Sequence, residues 1–80
     1  MTVFSENLYR ARKNKRTTKT KMANELGISL DTYILYEMGE KKPSSQELKK
    51  ISALLEVSID DLFTAKELHI YLGMLFHTNR

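Results

Sequence analysis

The fold is decided by residues 18–39, which read TKTKMANELGISLDTYILYEMG. Thr18 is suited to cap a helix, because its hydroxyl can accept hydrogen bonds from the free amides of the first turn. Gly27 would end that helix, since glycine enters the left-handed backbone region without strain. Ser29 and Gly39 repeat the same start and stop signals further along. The stretch therefore predicts two short helices joined by a tight turn.

The spacing of small and apolar residues indicates how these two helices pack. A small side chain at Ala23 lets the second helix cross close over the first, and Gly27 permits the sharp turn between them. Ile28, Tyr33 and Tyr36 then fill the angle between the helices. Two short helices arranged in this way form a helix-turn-helix, whose second helix can enter the major groove of DNA.

Helical periodicity continues on both sides of this motif and predicts an all-α domain of five helices. The first helix should cover about residues 3–15. A fourth helix should begin after Ser44, whose spacing from Glu47 fits a capping box. A short fifth helix should follow Ser58. The apolar stripes of the first, second, fourth and fifth helices consist of Phe4, Leu8, Ala11, Met22, Ala23, Leu26, Leu48, Ile51, Leu54, Leu55, Ile59, Leu62 and Phe63.

Three stretches of the chain resemble a known family. Residues 22–29 (MANELGIS), 36–44 (YEMGEKKPS) and 54–63 (LLEVSIDDLF) are similar to segments of the phage-repressor type of helix-turn-helix, the xenobiotic-response-element, Cro and lambda-repressor-like family. The segments lie in the family's order within residues 12–63. The resemblance implies a compact five-helix, lambda-repressor-like DNA-binding domain over residues 1–63. It also implies a sequence-specific transcriptional regulator, usually a dimeric repressor.

Basic residues are concentrated before the motif and at its start. Seven of the 13 basic residues lie between positions 10 and 21, with no acidic residue among them. Such a density suggests a polyanion partner, above all double-stranded DNA, and the alternative is a solvated helix face followed by a loop. Residues at the N-terminus of the second helix and beyond the third are predicted to bind DNA phosphates, namely Thr18, Lys19, Lys41, Lys42 and Ser44.

The resemblance assigns two further roles. It implies that Arg12 pairs with Glu37, because two charges that leave bulk water stabilise each other. It also implies that the third helix lies in the major groove, with four base-facing residues, Leu30, Asp31, Ile34 and Leu35. Arg16 and Thr17 depart from the family, which favours glycine and a large aliphatic residue there. This departure predicts a looser or differently packed first turn.

The third helix also departs from the usual chemistry of base recognition. Most bases are read by side chains that supply paired hydrogen bonds, whereas this helix offers aliphatic chains and Asp31. An aliphatic chain can contact a thymine methyl group, and a carboxylate can accept from the cytosine amino group. A helix that is apolar nearly all the way round is normally buried. The alternative is therefore an antitoxin-like, antirepressor-like or adaptor module that binds another protein through Leu30, Ile34, Leu35 and Met38.

Residues 64–80 form an apolar C-terminal extension that has two interpretations. Thr64 and Glu67 fit a capping box, which favours a helix, but alternate residues from Leu68 to Phe76 are apolar, as in a strand. We favour a helix that serves for dimerisation, because the extension carries more apolar surface than one short domain can cover. The alternative is that it folds back over its own core. The predicted dimer contacts are Leu68, Tyr71, Leu72, Leu75 and Phe76.

Composition argues against several other classes of function. The chain has no cysteine, so it holds neither a disulfide nor a cysteine-based zinc site. No apolar run approaches membrane-spanning length and no signal-peptide core is visible, so we expect a cytoplasmic chain without a membrane partner. His69 and His77 are eight residues apart, with no cysteine or paired acid at ligand spacing. We therefore expect no metal site, no cofactor, no small-molecule substrate and no enzymatic activity.

Overall fold

The computed structural model describes residues 2–63, which form five α-helices. These helices are α1 (Val3–Asn14), α2 (Lys19–Leu26), α3 (Leu30–Met38), α4 (Ser45–Leu55) and α5 (Ile59–Leu62). The prediction of an all-α, five-helix domain is confirmed for this part of the chain. The predicted helix or strand within residues 64–80 lies outside the described residues. None of the helices within residues 2–63 is long and apolar enough to cross a membrane.

Local capping explains why the helices begin and end where they do. Each helix follows a hydroxyl residue whose side chain accepts from an amide of the first turn, namely Thr2, Thr18, Ser29, Ser44 and Ser58. The predicted capping box of α4 is present, with the Ser44 amide donating to Glu47 Oε1 at 3.0 Å. Gly27 and Gly39 end α2 and α3 with φ angles of +70° and +78°. The caps predicted for α2 to α5 are therefore confirmed, and Thr2 adds one that the sequence analysis did not identify.

One hydrophobic core joins all five helices. Its buried members are Phe4, Leu8, Ala11, Met22, Ala23, Leu26, Tyr33, Tyr36, Leu48, Ile51, Leu55 and Leu62. Its partly buried edge consists of Ile28, Leu54, Val57, Ile59 and Phe63. Ile28, Tyr33 and Tyr36 thus fill the angle between α2 and α3, as the spacing predicts. The rings of Phe4 and Phe63 stack with centroids 4.9 Å apart, which joins the start of α1 to the end of α5.

The turn between α1 and α2 is held by hydrogen bonds to Arg12. Arg16 has a φ angle of +59°, a left-handed conformation that suits glycine and explains the family's preference for glycine there. The Thr17 amide donates to the Arg12 carbonyl at 3.3 Å, and Arg12 Nη1 donates to the Thr17 carbonyl at 3.0 Å. These bonds tie the turn to the end of α1, and the expectation of a looser or differently packed turn stays a prediction.

Candidate nucleic-acid interface

The inner side of α3 carries a buried ion pair. Arg12 Nε donates to Glu37 Oε2 at 2.5 Å, and Arg12 Nη2 donates to Glu37 Oε1 at 3.1 Å. The exposed fractions of the two side chains are 8% and 5%. The two residues that the resemblance pairs are therefore in contact, in the two-pronged geometry that a guanidinium provides. Tyr33, one turn earlier on α3, also donates to Glu37 Oε2, at 2.5 Å.

Hydrogen bonding and burial set the protonation states within this cluster. The hydrogen bond to Glu37 raises the pKa of Arg12 above its usual value, so the guanidinium stays charged. Burial, together with the hydrogen bond to Glu37, raises the pKa of Tyr33 well above its usual value of 10.0. Tyr33 therefore stays protonated, and its hydroxyl group donates a hydrogen bond to the Glu37 carboxylate. The cluster ties α3 to α1 through charged and neutral donors that converge on one acceptor.

The outer side of α3 is exposed and mostly apolar. Leu30 and Met38 are 40% and 46% exposed, and Asp31 is exposed as well. Ile34 and Leu35 are half-buried. The four residues predicted to face DNA bases therefore all lie on the part of α3 that is not sealed into the core. A helix with this exposure can still enter a groove, which a fully buried helix could not do.

A cleft brings this outer side next to the start of α2. It is lined by Arg12, Lys13, Arg16, Thr17, Thr18, Lys19, Thr20, Leu30 and Ile34. Two predicted phosphate ligands, Thr18 and Lys19, thus adjoin two predicted base-facing residues, Leu30 and Ile34. The amides of the first turn of α2 also point towards this end of the helix, where its dipole favours anions. The cleft therefore combines positive charge, free amides and apolar side chains.

A second cleft lies further along α3. Its lining consists of Tyr9, Lys19, Ile34, Glu37, Met38 and Glu40. Lys19 and Ile34 line both clefts, so Lys19 lies beside the middle of α3. On α1, the ring of Tyr9 is exposed, and the guanidinium carbon of Arg12 lies 5.5 Å from its centroid. The sequence analysis did not single out Tyr9, because nothing in its spacing distinguishes it from a solvated side chain.

The remaining predicted phosphate ligands lie beyond the end of α3. Lys41, Lys42 and Ser44 are exposed in the connection to α4. Tyr36 Oη donates to Glu47 Oε1 at 2.6 Å, which ties the start of α4 to α3. The hydrogen bond from Tyr36 lowers the pKa of Glu47, and the charge of Lys41 contributes in the same direction. The connection is therefore held in place at its α4 end, with both lysines at the surface.

Two long-range contacts were not apparent from the sequence. The bond between Tyr36 and Glu47 joins residues 11 apart, and the exposed pair of Lys15 and Glu56 joins residues 41 apart. The contact between Tyr33 and Glu37 is different, because their separation of four residues is the spacing at which helical side chains meet. That spacing could have indicated the third member of the Arg12 cluster.

Comparison with known families identifies the class of this domain. The helix-turn-helix family model matches residues 8–62. The chain belongs to the helix-turn-helix family, as the packing of α2 and α3 also indicates. Within residues 2–63, no group of three or more histidine, aspartate or glutamate side chains is placed to hold a metal ion.

Individual relatives carry regulator names. The chain is 45% identical over 60 residues to the uncharacterized HTH-type transcriptional regulator YqaE of Bacillus subtilis, covering 75% of this chain and 52% of the relative. It is 47% identical over 59 residues to the cryptic phage CTXphi transcriptional repressor RstR of Vibrio cholerae, covering 74% and 53%. The chain thus spans about half the length of these curated relatives.

A solved structure has the same fold. A transcriptional regulator from Listeria innocua matches with a TM-score of 0.69 and 26% sequence identity. The match covers 96% of this chain and 78% of the other. The likeness supports the helical architecture independently of the short stretches that carry the sequence resemblance.

Proposed function

We propose that this chain is a sequence-specific, DNA-binding transcriptional regulator of the repressor type, acting without catalysis and without a cofactor. The observation that carries the proposal is the exposed outer side of α3, with Lys19 beside it and Lys41 and Lys42 beyond its end. The regulator names of the relatives support the same function. Such a protein would work in the cytoplasm, where its double-stranded DNA partner lies.

In this proposal, phosphate contacts set the register and α3 reads the bases. Thr18 and Lys19 would bind one phosphate run through the start of α2, and Lys41, Lys42 and Ser44 would bind another. The base-facing residues would be Leu30, Asp31, Ile34 and Leu35. Asp31 would accept a hydrogen bond from a cytosine amino group, because a carboxylate has no donor to offer a guanine or a phosphate.

A salt series tests the proposal. The full chain would be titrated with duplexes selected from a random-sequence pool at about 50 mM and about 200 mM salt, with fluorescence anisotropy as the readout. Lys19→Ala and Lys42→Ala should each weaken binding equally across sequences and reduce the slope of log K against log salt by about 1. Lys50→Ala is the matched control, because Lys50 is an exposed lysine on α4, outside both clefts. Unchanged affinity in both interface variants would remove the phosphate assignment.

We also propose that two copies pair through residues 64–80. The support is the sequence of this extension, whose predicted dimer contacts are Leu68, Tyr71, Leu72, Leu75 and Phe76. A dimer would set two α3 helices about 34–36 Å apart, which is one turn of DNA. A chain ending at Phe63 should sediment as a monomer and keep its helical circular dichroism. A truncated chain that still sediments as a dimer would assign the contact to residues 1–63.

A protein partner is the second candidate, and the exposure of Leu30 and Met38 favours it. In that case α3 would present its outer side to another protein, as in an antitoxin-like or antirepressor-like module. The same titration separates the two functions. Specific duplex binding with a steep salt slope supports the regulator, whereas no duplex binding together with a stoichiometric protein complex supports the interaction module.

A further inference from the structure

Three residues form a line along the outer side of α3, which we call the apolar strip: Leu30, Ile34 and Met38. They follow one another at intervals of four residues, so they lie on one face of the helix. Leu30 and Met38 are exposed, and Ile34 is half-buried between them. We infer that this strip recognises thymine through its C5 methyl group, an inference that rests on the proposed DNA-binding function.

The side chains of α3 leave few other ways to read a base. Paired hydrogen bonds to guanine or adenine come from arginine, lysine, asparagine or glutamine, and the α3 sequence LDTYILYEM contains none of them. The Thr32 hydroxyl accepts from Ser29 Oγ at 2.9 Å and so belongs to the helix cap. The thymine methyl is the apolar group that a base pair presents in the major groove. It is therefore the feature that matches the apolar strip.

Charge around the strip favours a duplex over an apolar protein surface. Lys19 lines both clefts together with Ile34. Lys13 and Arg16 line the cleft that contains Leu30. A major groove has phosphates along its edges and base edges, including methyl groups, on its floor. The Leu30 end of the apolar strip, which is bordered by cations, has the complementary arrangement, whereas Glu40 lines the cleft at the Met38 end.

The test replaces thymine by uracil, which removes the methyl group and keeps the pairing and the charge of each strand. A duplex that the full chain selects from a random-sequence pool is resynthesised with single deoxyuridines. At the contacted thymines, each replacement should weaken binding about fourfold, the value expected for one buried methyl group. Thymines outside the protected region should show no change.

Two variants connect the effect to the strip. The uracil penalty is the loss of affinity when uracil replaces a contacted thymine. In the Leu30→Ala variant this penalty should disappear at one contacted thymine, because the side chain that contacts the methyl group is gone. Val3→Ala is the matched control, since Val3 is 39% exposed, like Leu30 at 40%, but lies at the far end of α1 outside both clefts. The control should keep the full penalty.

The outcomes separate this inference from the function on which it rests. A selected duplex that binds with a steep salt slope, yet keeps its affinity when all its thymines are replaced by uracil, overturns the methyl inference alone. A uracil penalty that Leu30→Ala and Val3→Ala both leave unchanged also overturns it. A chain that enriches no duplex from the pool, even at low salt, overturns the proposed function and this inference together.

Discussion

The two sides of α3 differ in where they place charged and apolar groups. The inner side holds an ion pair and a phenol hydroxyl, almost fully removed from water, around Glu37. The outer side exposes Leu30 and Met38 to water. Globular helices usually keep their charged residues on the outer side, whereas α3 buries Glu37 beside the core residues Tyr33 and Tyr36. A stability argument accounts for the inner side, but it gives no reason for the exposed leucine and methionine.

This contrast indicates that the inner side of α3 contributes to folding, whereas the proposed function assigns the outer side to a partner. Breaking a buried ion pair is costly, because the remaining charge is left without compensation. Exposed aliphatic side chains contribute little to folding, so folding places little restriction on which residue type stands at these positions, and binding can determine it. The inner side should therefore respond to substitution through stability and the outer side through binding.

The largest expected effect comes from the inner side. Glu37→Gln should lower the free energy of unfolding by about 3 kcal/mol, because it leaves the Arg12 charge buried without its partner. Glu56→Gln is the matched control, since Glu56 pairs with Lys15 at the surface and that pair should contribute little. Urea unfolding followed by circular dichroism measures both. Equal losses in the two variants would contradict the special role of the buried pair.

A smaller loss is expected when the phenol hydroxyl is removed from the same cluster. Tyr33→Phe should lower the free energy of unfolding by about 2 kcal/mol, because it deletes a buried hydrogen bond to a carboxylate. Tyr9→Phe makes the same change on an exposed ring of α1, where about 0.5 kcal/mol or less is expected. A Tyr33 variant as stable as the Tyr9 variant would show that the ion pair needs no third member.

Alkaline pH should lower the free energy of unfolding through the buried tyrosines of α3. The pKa values of Tyr33 and Tyr36 are raised above their usual value of 10.0, chiefly by burial. The folded chain therefore holds these protons more tightly than the unfolded chain, so the stability they confer is complete below pH 10 and falls above it. The loss should be about 1 kcal/mol per pH unit for Tyr33. Urea titrations on both sides of pH 10 measure the slope, and Tyr33→Phe should flatten it.

The smallest effect on stability should come from the outer side. Leu30→Ala should change the free energy of unfolding by about 0.5 kcal/mol or less, because the side chain lies outside the core with 40% of its surface exposed, and because alanine favours helix. The same urea assay checks this value. A loss of several kcal/mol would mean that Leu30 belongs to the core, and the contrast between the two sides of α3 would disappear.

Local signals made most of the fold predictable. Ser29 and Gly39 bound α3 through interactions with their own neighbours, so sequence spacing alone identified the helix. The cap at Thr2 was missed, because its partner is Ser5, whereas the usual capping box has glutamate or glutamine in that position. The hydrogen bonds that hold the turn after α1 were missed as well, since they depend on the side chain of Arg12 reaching back to the Thr17 carbonyl.

The candidate site was predictable to a different degree. The pairing of Arg12 with Glu37 spans 25 residues and came from the family resemblance, since no local rule connects them. The link from Tyr36 to Glu47 also depends on how α3 and α4 pack, which spacing does not encode. The base-facing positions of α3 also came from the family resemblance, and their DNA contacts depend on a partner and stay predictions.

The stacking of Phe4 on Phe63 brings the beginning and the end of the described chain together. The path through the five helices is therefore nearly a closed circuit. In a chain shortened to residues 2–63, a short peptide could join these two ends, and new termini could be opened in the connection between α4 and α5. Such a circular permutant would keep every helix in its place, so the order in which the helices are synthesised is separable from the way they assemble.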